Sequence, residues 1–208
     1  MKPCWILTTP RSGSTFLCRK LNQTGLFNPA FAEWYNAETL FHEAFVKSPP
    51  IFCKIHRFQY NRHKPLFPKD VFYIHLTRKD LIEATVSQYF AGHTKMWNTT
   101  CEDKLSEHAN VEVPYNQNDL IRLYLEMQVE SKGWIEFLKD KEYLEFDYSD
   151  LMDNAGDIVD QIVDICGVQN NEINKYSKMH TPLKMYHPMK DVYVEKFRKF
   201  IRNLEELK

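Results

Sequence analysis

The stretch Cys4-Trp5-Ile6-Leu7-Thr8-Thr9-Pro10-Arg11-Ser12-Gly13-Ser14-Thr15-Phe16-Leu17 constrains this chain more than any other. An apolar run of strand length passes through a polar turn into a helical pattern, with Phe16, Leu17 and Leu21 as its buried face. Strand, polar loop and helix in that order are the layout of a phosphate-binding loop, in which backbone N–H groups and a helix N-terminus point at an anion. Gly13 permits close backbone approach because it has no Cβ. Ser12, Ser14 and Thr15 offer hydroxyls, Arg11 offers a permanent fork-shaped cation, and Pro10 opens the turn. The nucleotide-triphosphate motif Gly-x4-Gly-Lys-Ser/Thr is not met, because the loop has one glycine and no lysine. A magnesium-dependent ATPase or kinase is therefore disfavoured. The competing reading is an ordinary strand-to-helix turn with serine caps.

A length of 208 residues suits a single domain spanning 1–208. The formal net charge of −1 advertises no nucleic-acid partner. The cysteines Cys4, Cys18, Cys53, Cys101 and Cys166 are scattered, with no Cys-x-x-Cys pair, and read as reduced thiols of a cytosolic-type compartment. The apolar run after Met1-Lys2-Pro3 is too short for a signal peptide, and no stretch approaches a membrane span. These features predict a cytoplasmic location. The histidines lack metal-ligand spacing, so no metal is assigned.

Along the chain, strands are expected at 3–9, 51–55, 71–76 and 143–148, and helices at 13–24, 38–46, 81–90, 116–139, 149–166 and 191–206. A basic loop is expected at Arg57–Lys64, and a lid or acceptor-binding loop at 92–114. Strands alternating with helices predict a three-layer α/β sandwich with a mostly parallel central sheet. The loop after the first strand then lies beside those after the second and third. That brings Arg11, Ser14, Lys54 and Arg78 within reach of one ligand, a set that suits a doubly phosphorylated nucleotide. Lys54 interrupts its strand near the C-terminal end, where ligands collect in open α/β sheets; a lysine on the exposed face of an edge strand is the alternative. Arg78 follows the third strand, and Ser87 lies on the next helix. A guanidinium and a hydroxyl can clamp a second phosphate; the competing readings are a salt bridge to Asp80 for Arg78 and a small core-facing residue for Ser87. Glu33 sits among aromatics, where a raised pKa makes a candidate general base; a carboxylate balancing a helix dipole is the plainer reading. Lys184, in the polar loop 181–190, would close over an anionic ligand or remain solvated.

Taken together, Thr9 through Thr15 resembles the 5′-phosphosulfate loop of sulfotransferases that use 3′-phosphoadenosine 5′-phosphosulfate (PAPS), and Arg78 with Ser87 resembles their 3′-phosphate site. The likeness is nearest to the bacterial trehalose 2-sulfotransferase type. Pro29 through Tyr35 resembles its Pro-Gln-Glu-Phe-Phe segment, with Glu33 on the catalytic glutamate. Tyr73 through Trp97 and Gln128 through Asn154 resemble two further segments in order. The resemblance implies a P-loop-like fold and transfer of a sulfuryl group from PAPS to a hydroxyl of a small acceptor, a carbohydrate, with release of adenosine 3′,5′-bisphosphate. It implies that Arg11 and Ser14 hold the 5′-phosphate, that Lys54 stabilises charge on the sulfuryl oxygens, that Glu33 takes the acceptor proton, and that no metal is required. A homodimer is left open. The competing functions are a P-loop nucleotide kinase or NTPase, and a non-catalytic nucleotide-binding domain of the same fold.

Overall fold

Every residue of the first strand, β1 (Cys4–Thr8), is buried, the mark of a strand covered on both faces of a parallel sheet. In the computed structural model, which describes residues 4–24, 52–63, 71–97, 102–167 and 187–206, β1 pairs in parallel with β2 (Phe52–His56) and β3 (Phe72–Thr77). On its other side β3 pairs in parallel with β4 (Tyr143–Asp147). The order is β2-β1-β3-β4. Parallel neighbours require crossover connections, and the central position of β1 sets the loop that follows it between the ends of β2 and β3, as the sequence predicts.

The chain divides into two compact units, residues 1–78 with 130–181, and residues 79–129 with 182–208. In the first unit the strand alternation sorts the core into two layers. On one face Cys4, Ile6, Ile74 and Leu76 pack with Leu17, Cys18 and Leu21 of helix α1 (Ser14–Gln23) and with Ile158, Ile162 and Val163. On the other face Trp5, Leu7 and Ile55 pack with Trp134 and Leu138. Helical residues thus cover both sides of the sheet, which gives the expected α/β layering. Cys4, Cys18 and Cys166 come together in the first layer, each no more than 1 % exposed. The hydrogen bond between Cys4 and Cys166, followed by burial, pushes the Cys4 thiol well up, and the same bond pulls Cys166 down.

Three expectations are corrected. The basic segment after β2 is not a loop but a short helix, α2 (Arg57–His63). The 92–114 segment is not a continuous loop: after α3 (Leu81–Thr94) it contains helix α4 (Glu102–Asn110). The single helix expected at 149–166 is two, α6 (Tyr148–Asp153) and α7 (Ala155–Ile165), which follow α5 (Gln117–Leu138) and β4. The break has a local cause. Asp147 and Asp150 form a capping box that starts α6 directly at the end of β4, and Asn154 leaves helical geometry at φ −131° to start α7. The helix expected at 38–46 lies outside the described residues.

In the second unit Asp80 caps α3 by accepting a hydrogen bond from the Glu83 backbone N–H at 2.9 Å. Val86, Tyr89 and Phe90 of α3 share a core with Leu120 and with Tyr193, Val194 and Phe197 of α8 (Lys190–Glu205). Arg198 ties back to Asp80 at 2.6 Å, and Lys190 to Glu83 at 3.1 Å. No helix among the described residues is long and apolar enough to cross a membrane.

Candidate functional site: the loop after the first strand

Two residues of the loop have left-handed backbone, Gly13 at φ +84° and Arg11 at φ +65°. Glycine adopts this region freely, whereas for Arg11 it costs about 1–2 kcal/mol. Such strain persists only where the surroundings over-determine it, and it gathers at binding sites. Here the surroundings are specific. The Ser12 hydroxyl, fully buried, donates to the Thr9 carbonyl at 2.9 Å and also contacts the Thr8 hydroxyl, which itself donates to the Thr9 carbonyl at 3.0 Å. Ser12 therefore shapes the loop with its side chain. The Leu17 N–H bonds to the Gly13 carbonyl at 3.0 Å as the first bond of α1. The amides before it have no intrahelical acceptor, as at any helix start. Left-handed residues alternating with a helix N-terminus turn successive N–H groups toward one point and make an anion-binding concavity.

Neighbouring strands deliver the side chains. Lys54 aligns with Ile6 in the β1–β2 register, is 3 % exposed, and its ammonium donates to the Thr15 hydroxyl at 3.4 Å, on the first turn of α1. Two residues on, His56 aligns with Thr8. Its Nδ1 lies 3.2 Å from the Thr8 carbonyl oxygen, which can only accept, so Nδ1 carries the proton. Trp134 Nε1 donates to the same oxygen, also at 3.2 Å. Both lone pairs of the carbonyl at which the loop departs are thus engaged. Burial first, and then the Lys54 charge, lower the His56 pKa to about 3. The imidazole is neutral at ordinary pH.

From the other side, Arg78 follows β3 directly. Its Nη1 donates to the Arg11 carbonyl at 2.8 Å, and its guanidinium lies over the Tyr148 ring at 4.2 Å. A Cβ on Gly13 would meet Tyr148 Cδ2 at 3.0 Å and Leu151 Cδ2 at 3.1 Å. The Tyr148 ring therefore borders both Gly13 and the Arg78 guanidinium. Arg78 thereby supports the strained Arg11 peptide.

Of the residues predicted from sequence, Pro10, Arg11, Ser12, Gly13, Ser14, Thr15, Lys54 and Arg78 gather at this loop in the first unit. Ser87 is on the buried side of α3, in the second unit. Glu33 and Lys184 lie outside the described residues. The sequence reading missed three contributors, His56, Trp134 and Tyr148. His56 shares the face of Lys54 by strand alternation, and Tyr148 immediately follows a parallel strand, so the strand-end rule that singled out Arg78 applies to both. Trp134, 126 positions from Thr8, has no such signal.

At this loop the first turn of α1 and the buried Lys54 ammonium stand together, and Gly13 lets Tyr148 and Leu151 pack against the turn. Among the described residues no group of three His, Cys, Asp or Glu side chains stands ready to hold a metal ion. Fold and loop together define an α/β protein with a braced, left-handed turn between its first strand and first helix. The chain belongs to the Stf0 sulphotransferase family, which it matches over residues 59–199, and so the resemblance to sulfotransferases holds. Arg78 and Ser87 fall inside the matched span, while the loop and Lys54 precede it. Among solved structures the chain is similar to the sulfotransferase domain of the Synechococcus PCC 7002 olefin synthase, with 14 % identity over 95 % of this chain and 94 % of that one and a TM-score of 0.41. No curated protein matches the chain.

Proposed function

We propose that this sulfotransferase moves a sulfuryl group from PAPS to a hydroxyl of a small carbohydrate acceptor and releases adenosine 3′,5′-bisphosphate, with 1–208 acting as one sulfotransferase domain in the cytoplasm. The observation that carries the reading is the braced loop 9–15 with the Lys54 ammonium on the first turn of α1, in a chain of sulphotransferase family. PAPS supplies the sulfuryl group and, in its bisphosphate, a stable anionic leaving group. Sulfuryl transfer resembles phosphoryl transfer in passing through a charge-spread transition state, where catalysis is positioning and electrostatics. Arg11, Ser14, Thr15 and the amides of the α1 N-terminus hold the 5′-phosphate. Lys54 offers a fixed positive charge to the sulfuryl oxygens, and its burial keeps that charge from being screened by solvent. Arg78 and Ser87 bind the 3′-phosphate, and Lys184 contributes a further cation to the nucleotide. Glu33 accepts the proton of the acceptor hydroxyl, and no metal takes part.

The test is mass spectrometry of a library of sugars and simple alcohols incubated with PAPS and the protein. The expected result is a sulfate-sized mass gain on a carbohydrate hydroxyl that vanishes in Lys54→Met. Binding of the bisphosphate without transfer to any acceptor would instead identify an idle nucleotide-binding domain. Magnesium-dependent turnover of ATP would identify a kinase or NTPase. Sedimentation of the same preparation tests the homodimer we also propose.

A further inference from the structure

Arg57 opens α2 directly after β2, where the sequence predicts a basic loop. Its guanidinium lies instead among three aromatic rings, 5.3 Å from the Tyr60 ring centroid, 5.2 Å from that of Trp134 and 5.9 Å from that of Phe137. The rings brace one another: Phe137 meets Tyr60 edge-on at 4.8 Å and Trp134 edge-on at 5.7 Å. Arg57 Nη1 is buried and has no hydrogen-bond partner, so rings rather than a carboxylate hold that end of the guanidinium. Gly133 makes room for the stem, because a Cβ there would stand 2.9 Å from Arg57 Nε. The next residue, Trp134, donates its indole N–H to the Thr8 carbonyl at 3.2 Å, where β1 ends and the loop begins. A chain of contacts thus runs from the guanidinium through one indole to the root of the loop, all within the first unit.

We infer that Arg57 is a positioning residue for the loop: acting through the Trp134 indole, it fixes the Thr8 carbonyl from which the loop departs. Its effect on anion affinity rests on the function proposed above, which assigns the 5′-phosphate to residues 11–15. A cation over an aromatic face is attracted by the ring quadrupole, more strongly where water is excluded. The same charge draws electron density from the indole and makes its N–H a stronger donor, since polar groups in a low-dielectric interior polarise one another. Charge and packing therefore act together on one hydrogen bond. Lys54 serves the loop by direct contact with the Thr15 hydroxyl; Arg57 serves it at one remove.

The experiment is NMR of the full chain with its four tryptophan indoles labelled with nitrogen-15, the Trp134 signal being assigned by its loss in Trp134→Phe. Arg57→Met, which keeps a stem and loses the charge, should move the Trp134 indole proton upfield and speed its exchange with water about fivefold. Gly133→Ala, which keeps the charge and fills its seat, should do the same. Arg57→Lys should recover part of the wild-type signal, because it restores the charge without the planar stack. In calorimetry, affinity for adenosine 3′,5′-bisphosphate should fall about fivefold in Arg57→Met and in Gly133→Ala. Arg57→Met should cost nothing further in a Trp134→Phe background. An indole signal unchanged in both Arg57→Met and Gly133→Ala, or losses of affinity that add in the double variant, would overturn the inference. So would a lowered urea midpoint with indole signal and affinity unchanged, which is what packing alone predicts. The indole signal needs no nucleotide: a wild type that fails to bind the bisphosphate would sink the proposed function, while Arg57 is still judged on the indole.

Discussion

Replacing Gly13 with alanine tests the architecture of the loop at a single atom. The backbone there has φ +84°, where an L-residue pays about 1–2 kcal/mol relative to glycine. The new Cβ would also stand 3.0 Å from Tyr148 Cδ2 and 3.1 Å from Leu151 Cδ2. Tyr148 has little room to retreat, because the Arg78 guanidinium lies over its ring, and Leu151 is fully buried. Overpacking of this kind adds about 1–3 kcal/mol. The sum is a loss of about 2–5 kcal/mol, a large part of the stability of an ordinary domain. Gly156, on α7, is the control: nothing stands within 4 Å of its added Cβ, and alanine in a helix is favoured by about 0.5–1 kcal/mol. Urea unfolding of the two variants beside wild type should therefore move the midpoint in opposite directions. Calorimetry on the folded fraction of Gly13→Ala should also show weaker binding of adenosine 3′,5′-bisphosphate, because the loop must rearrange to relieve the contact. A Gly13→Ala midpoint equal to wild type would refute the reasoning, since it would mean that neither the dihedral nor the Tyr148 contact constrains the loop.

His56 gives a pH dependence. Its folded pKa of about 3 lies below the unfolded value of 6.5, so its contribution is fully present above pH 6.5 and declines as the pH falls toward 3; acid titration of the unfolding midpoint should show a steeper fall in wild type than in His56→Asn. Arg11→Lys should recover little of the bisphosphate affinity lost in Arg11→Ala, because a point charge does not reproduce the fork, and near wild-type affinity in calorimetry would remove that role. Arg78→Lys should weaken the bisphosphate by about 1.5–3 kcal/mol while affecting AMP less; equal losses for the two nucleotides would mean that Arg78 acts only through the Arg11 carbonyl. Glu33→Gln should retain bisphosphate binding and lose about a hundred- to ten-thousand-fold in turnover, and intact turnover would show that the proton goes elsewhere.

The parts of the fold that were legible are those written in local pattern. β1 is an uninterrupted apolar run, and the polar turn after it has one residue, Gly13, suited to the left-handed geometry found there. Lys54 and Arg78 were visible because a charge at a strand end stands out against the apolar pattern. What the sequence concealed was division of labour within the loop. Ser12 reads as a hydroxyl donor to an anion, yet it donates to Thr9, because a buried hydroxyl finds the nearest carbonyl before any ligand does. Arg78 reads as a ligand clamp, yet one of its N–H groups supports the Arg11 peptide. Trp134 was invisible in this role because only tertiary packing sets its indole N–H opposite Thr8. The break at Asn154 was missed for a different reason: the apolar period continues across it, and Asn154 makes no side-chain cap that would mark a new helix start.

The three thiols beneath β1 give the molecule an internal clock. Cys4 roots the strand that leads into the loop, Cys18 lies on the helix that leaves it, and Cys166 caps α7. An alkylating reagent can reach them only while that layer is open. Its rate of uptake at each sulfur, divided by that thiol's own reactivity once exposed, therefore counts openings of the loop's foundation, and equal values at all three would mean that strand and helices part from one another in one event.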